Sequence, residues 1–273
     1  MNFNLTLSMF SRIQLAKKYL HYYFTALNGK GHGIHSPFVF DFVQNVLNDN
    51  KHHESYNTVE SLRKQLLHDN HLLEVQDMGA GSVISKSRQR KVSDIARHAA
   101  KPKKYGQLLF RIVKHYQPRT IIELGTSLGI TTSYLALAST TASVITFEGA
   151  SAVADIARNN FDKLSIENIQ IKEGNFDDTL TRVLSVTDTL DFAFVDGNHR
   201  KEPTIQYFER LSDKINNASV LIFDDIHWSV EMEEAWETIK AQSSVTLSID
   251  LFFVGLLFFR NDFKIKQHFV INF

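Results

Sequence analysis

"TIIELGTSLGITTSYLALAS", Thr120 to Ser139, decides the reading of this chain. An apolar run climbs to Glu123, breaks at Gly125-Thr126-Ser127-Leu128-Gly129, and resumes at helical spacing. A buried strand, a glycine turn and an apolar helix in that order open a parallel α/β sheet. In such sheets ligands sit beyond the carboxyl ends of the strands. Glycines let the backbone approach a ligand closely. The competing reading is a tight turn that packing alone requires.

A dinucleotide does not suit this turn. Its fingerprint, G-x-G-x-x-G, holds pyrophosphate on backbone N–H groups and a helix N-terminus. Here the glycines stand at 125 and 129, Ser127 takes the middle position, and Glu123 lies just before. An acid aimed into the crevice would repel pyrophosphate and suit a ligand carrying an ammonium group.

Outward from the turn, strands and helices alternate. "KYGQLLFRIVKHY" reads as a helix before it. After it come the strands "SVITFEG", "IQIKEGN", "LDFAFVDG" and "SVLIFDD", separated by the helices "SAVADIARNNFDKL", "FDDTLTRVLSV" and "EPTIQYFERLSDKI". The helix "SVEMEEAWETIKAQ" follows, and "VTLSIDLFFVGLLFFR" and "HFVINF" close the chain as strands. Apolar strands alternating with helices predict a Rossmann-like, doubly wound α/β fold. The expectation is a mostly parallel seven-stranded sheet with an antiparallel C-terminal strand. Residues 1–100 read as an N-terminal helical extension without strands, and residues 101–273 as the ligand-binding domain. Within the extension, "SMFSRIQLAKKYLHYYFTAL", "PFVFDFVQNVLND" and "TVESLRKQLLHD" have apolar residues at helical spacing.

"IELGTSLGITTSYLA" resembles the first motif of class I S-adenosylmethionine-dependent methyltransferases. It is closest to the O-methyltransferases of the catechol and caffeoyl-coenzyme A type and their bacterial relatives. The resemblance runs from about Lys103 to about Phe259. It implies S-adenosylmethionine as cofactor, with Glu123 and the turn Gly125, Thr126, Ser127 and Gly129 seating its methionine end. It implies Glu148, at the end of "VITFEG", on the ribose hydroxyls; by itself that residue reads as an exposed strand-end acid. Gly174 and Asn175 of "IKEGNF" would lie beside the adenine. The resemblance extends loosely to "KKYGQLL", whose glycine would approach the cofactor.

Asp196 ends one strand, and Asp224 and Asp225 end another. Three acids on one rim repel each other unless a cation is present. Oxygen-only ligation suits Mg²⁺, or less commonly Mn²⁺. Asp at a strand end also caps a following helix, which accounts for such residues without a metal. The resemblance implies the metal, because the family carries an acid after its fourth strand and an Asp-Asn pair after its fifth. Asp225 departs from that pattern. Asp196 would also face the cofactor. His199 stands where the family often has a lysine base, and an imidazole can accept a proton near neutral pH. His199 is therefore the candidate catalytic base. His227 reads equally as a partner beside the metal or as packing, and Trp228 as a pocket wall or packing.

The 273 residues include no cysteine, which excludes disulfides, thiolate metal sites and cysteine nucleophiles. Thirty basic and thirty acidic residues balance, so no nucleic-acid or membrane partner is expected. The first twenty residues lack a signal-peptide layout, and a cytoplasmic protein is expected, with a homodimer left open. "GAGS" at 79–82 imitates a cofactor turn, but its flanks are polar on one side and basic on the other. Lys86 to Lys91 reads as a solvated loop face or a grip for an anionic substrate. His32 and His35 lie in a glycine-rich loop that runs into a helix start. The expected activity is O-methyl transfer to a small hydroxylated acceptor, assisted by a divalent metal. The alternatives are a metal-independent N- or macromolecule methyltransferase and a catalytically inactive nucleotide-binding protein of the same fold.

Overall fold

The structure is a computed structural model that describes residues 9–75 and 89–273. In chain order its elements are α1 (Arg12–Thr25), α2 (Pro37–Phe42) running into a π-helical turn (Val43–Leu47), α3 (Glu54–Leu66), β1 (Leu72–Glu74), β2 (Gln89–Lys91) and α4 (Val92–His98). There follow α5 (Lys103–Tyr116), β3 (Thr120–Leu124), α6 (Ile130–Ala138), β4 (Ser143–Glu148), α7 (Ser151–Lys163), β5 (Ile169–Glu173), α8 (Phe176–Ser185) and β6 (Leu190–Val195). Last come α9 (Lys201–Ser212), β7 (Ile215–Asp224), α10 (Val230–Ala241), β8 (Leu247–Asp250), β9 (Val254–Phe258) and β10 (Gln267–Val270). No described helix is long and apolar enough to cross a membrane.

The main sheet runs β10-β8-β9-β7-β6-β3-β4-β5. β3, β4 and β5 pair in parallel, as the α/β alternation requires. The sheet thus has eight strands where seven were expected. The antiparallel strand is β9, which lies between β7 and β8, and the last strand, β10, pairs in parallel with β8. The reason is local. Only Leu251-Phe252-Phe253 join β8 to β9, enough for a hairpin and far too few for a crossover. Phe252 takes a left-handed φ of 70° in that hairpin, with its N–H held by Asp250 Oδ1 at 2.8 Å. A second departure is the short antiparallel pair β1–β2, in a region expected to be free of strands.

The chain forms two compact units, Asp49–Ala193 and Met1–Asn48 with Phe194–Phe273. This division differs from a cut after residue 100. Residues 9–48 go with the C-terminal end because α1 lays its inner face there. Tyr19 meets Phe252 edge-on at 5.1 Å, Tyr22 lies 5.3 Å from the same ring, and Lys18 Nζ donates to Glu233 at 2.9 Å. The Tyr22 hydroxyl donates to the Ile271 carbonyl.

In the unit Asp49–Ala193, α5 packs on α6 through Gly106. A Cβ there would lie 2.6 Å from the Tyr134 ring. This close helix packing is by itself a reason for glycine at 106. Tyr134 is fully buried, and its hydroxyl donates to Glu60 Oε1 at 2.8 Å. Burial, with the Glu60 carboxylate beside it, raises the pKa of that phenol far above its ordinary value.

Candidate active site

In the unit Asp49–Ala193 the turn after β3 alternates left-handed residues: Gly125 at φ 110°, Ser127 at 49° and Gly129 at 79°. Gly125 N–H and Thr126 N–H both donate to the Phe147 carbonyl, at 3.1 and 3.0 Å. Ser127 N–H donates to Glu148 Oε2 at 2.8 Å, and Ala150 N–H to Glu148 Oε1 at 3.0 Å. The turn is therefore tied to the end of β4, and Glu148 is oriented through both oxygens while staying half exposed.

Glu123 lies on β3 just before the turn. It is 0% exposed, and its Oε2 accepts from the hydroxyls of Thr132 at 2.5 Å and Thr146 at 2.6 Å. Thr126 joins this cluster through a 2.6 Å hydroxyl contact with Thr146. One oxygen of the acid is thus held inside the fold by two threonine hydroxyls. The alternation of strand side chains puts it there: in β3 only Thr120 is not buried, so position 123 has no wet face. Gly129 also has a packing reason, since a Cβ would lie 2.5 Å from Phe161 Cε1. Asn175 caps α8, its side chain accepting from Asp177 N–H at 2.9 Å. Gly174, at φ 118°, has ordinary room for a side chain, so its backbone conformation alone selects glycine.

In the unit that holds Phe194–Phe273, three side chains converge. Asp196 follows β6, His199 lies in the loop after it, and Asp224 is the last residue of β7. One ligand atom from each lies within 4.8 Å of the others. His199 Nε2 is 3.5 Å from Asp196 Oδ1, and Asp224 is 1% exposed. Among the described residues this is the group able to hold a metal ion. Asp225 is not in it. Its φ of 52° marks a turn in the chain directly after Asp224, and its carbonyl accepts from Trp228 N–H at 2.9 Å. The expected trio of Asp196, Asp224 and Asp225 is thus replaced by Asp196, His199 and Asp224. Asn198, also left-handed at φ 58°, shapes the loop that presents His199, and its amide donates to the Tyr207 hydroxyl at 3.2 Å.

His227 belongs to a different network. Its Nδ1 lies 2.9 Å from Glu233 Oε1 and its Nε2 2.8 Å from Asp250 Oδ2, and its ring stacks on Phe252 at 5.2 Å. Burial disfavours the charged imidazole, but the bonds and charges of Asp250 and Glu233 together outweigh it, and the pKa stands above its ordinary value. Nothing near His227 in sequence announces Asp250, which arrives only through the β7–β9–β8 pairing. Trp228 is 39% exposed, with its carbonyl accepting from Phe10 N–H at 3.3 Å. His32 and His35 are exposed. The turn at 79–82 and residues 86–88 of the basic run lie outside the described residues.

Residues 122–226 match the family model described as a methyltransferase domain. That span holds the glycine turn, Glu148, Asp196, His199 and Asp224. No curated protein matches the sequence. Solved structures that share the fold include the following three. The S-adenosylhomocysteine-bound methyltransferase PaMTH1 of Podospora anserina is 12% identical with a TM-score of 0.57, over 83% of this chain and 97% of that one. The O-methyltransferase of Bacillus cereus in complex with S-adenosylhomocysteine is 20% identical with a TM-score of 0.55, over 81% and 97%. The O-methyltransferase TomG of Streptomyces achromogenes, in complex with S-adenosylmethionine, is 16% identical with a TM-score of 0.55, over 77% and 92%. The resemblance read from the motifs and the shared fold agree.

Proposed function

We propose that the chain is an S-adenosylmethionine-dependent O-methyltransferase that acts on a small hydroxylated acceptor with a divalent metal ion. The observation that supports the metal-assisted reading is the convergence of Asp196, His199 and Asp224. Two carboxylates and an imidazole fit a divalent ion, and the imidazole extends the choice from Mg²⁺ to Mn²⁺. A bound ion would lower the pKa of an acceptor hydroxyl and orient it.

The chain's own residues do the rest. Glu148, pre-oriented by two backbone N–H groups, accepts from the ribose hydroxyls. The Gly125–Gly129 turn brings backbone close to the donor. Glu123 supports that turn through Thr132 and Thr146. Because the sulfonium is already a strong electrophile, holding the reactants in line supplies most of the rate. A diffusible donor and acceptor go with a cytoplasmic location.

The 3.5 Å contact between His199 and Asp196 supports a second reading, without metal. There Asp196 orients His199, which takes the acceptor proton as general base.

Methyl transfer to a panel of hydroxylated aromatics, assayed with chelator and after adding back Mg²⁺ or Mn²⁺, separates the two. Activity lost to the chelator and restored by metal supports the first reading. Activity unmoved by chelator and abolished in His199→Ala supports the second. Failure to bind S-adenosylmethionine by calorimetry would reject both.

A further inference from the structure

We propose that the outward face of α1 docks on an anionic lipid surface. The helix is firmly seated by its inner face, where Tyr19 and Tyr22 pack on Phe252 and Lys18 meets Glu233. Its opposite face is apolar and wet: Ile13 is 71% exposed, Leu20 55% and Phe24 78%. These three recur at the helical period and form one stripe along the outside. Tyr23, half exposed, broadens it.

The charges beside these residues decide the occupant. Lys17 lies along the stripe, one turn from Ile13 and from Leu20, while Arg12 lies to one side of it, and neither forms an ion pair among the described residues. No Asp or Glu occurs before Asp41, while Arg12, Lys17, Lys18 and Lys30 do. The balanced charge of the whole chain hides this segregation, which is why the net charge pointed away from membranes. An apolar stripe accompanied by cations is the pattern of a helix that lies in a bilayer interface. The cytoplasmic leaflet carries the matching negative potential. A second copy fits poorly, because an isologous pairing would set cations against cations with no acid on either helix to neutralise them.

The test is sedimentation of the full-length protein with vesicles of phosphatidylcholine alone and of phosphatidylcholine mixed with phosphatidylserine. The wild type should sediment with the mixed vesicles and be released by salt. Ile13→Ser, Leu20→Ser and Phe24→Ser combined should lower that binding by at least about tenfold. Lys17→Glu, at an exposed position, should weaken it severalfold. All variants should keep the wild-type unfolding midpoint. No binding to mixed vesicles overturns the proposal, as does equal binding by wild type and the triple variant. A wild-type dimer that the triple variant dissociates would assign the stripe to a second copy and overturn it too. Preference for an acidic polypeptide over the vesicles would do the same in favour of a protein partner.

Discussion

Gly129 and Phe161 are in such close contact that a methyl group on Gly129 would sit 2.5 Å from the ring. The residue that opens α6 is thus fixed from two sides, by a left-handed backbone and by the helix beside it. Gly129→Ala should destabilise the protein by about 2–4 kcal/mol, combining the cost of a side chain at positive φ with overpacking. Urea unfolding measures this, and a loss below about 0.5 kcal/mol would show that Phe161 moves aside freely. Gly106→Ala, inside α5 and against Tyr134, should cost less, about 1–3 kcal/mol, from overpacking alone.

Glu148 should matter to donor binding as well as to the turn it ties to the end of β4. Its removal takes away charge-assisted hydrogen bonds worth about 1.5–3 kcal/mol. Glu148→Ala should therefore raise the S-adenosylmethionine dissociation constant by about 10- to 150-fold, as read by calorimetry. An unchanged constant would remove Glu148 from the donor site.

The acid cluster distinguishes neighbours in sequence. Asp224→Asn should weaken Mn²⁺ binding by about 100-fold or more, since even residues that merely support a ligand cost 10–100-fold. Asp225→Asn should cost severalfold at most. Equal losses at the two positions would restore Asp225 to the metal site. Titration of Mn²⁺ followed by electron paramagnetic resonance reads both.

His227 should give stability a definite pH dependence. Its pKa is raised in the folded protein, because Asp250 and Glu233 together outweigh burial. Its contribution is therefore complete below the unfolded pKa of about 6.5 and is lost as pH rises through the higher folded value. His227→Gln should cost about 2–4 kcal/mol at pH 6, the range expected when one partner of a buried charged network is removed. It should cost distinctly less at pH 9. Urea unfolding of both proteins across that range tests it, and a pH-independent difference would show that the imidazole is not the titrating group.

The alternation of buried strands and amphipathic helices from Lys103 onward was legible because each element carries its own period. Glu148 and the left-handed glycines could be named for the same reason: strand ends and turns are local events. The contacts of Glu123 were not legible, since they come from Thr146 of the neighbouring strand and Thr132 of the following helix. His199 was picked out as a base, and its place among metal-ligating atoms emerged only with Asp224 beside it.

By itself the sequence determined the order of elements, the turn after β3 and the strand ends that hold acids, because periodicity and turn chemistry act over a few residues. Tertiary structure alone decided which acids meet. Asp224 and Asp225 are adjacent in the chain, yet a single left-handed residue leaves one in the cluster and the other outside it. Asp250 reaches His227 only because a three-residue hairpin turns β9 back between β7 and β8. Such meetings depend on where separate segments cross, and no local pattern records that.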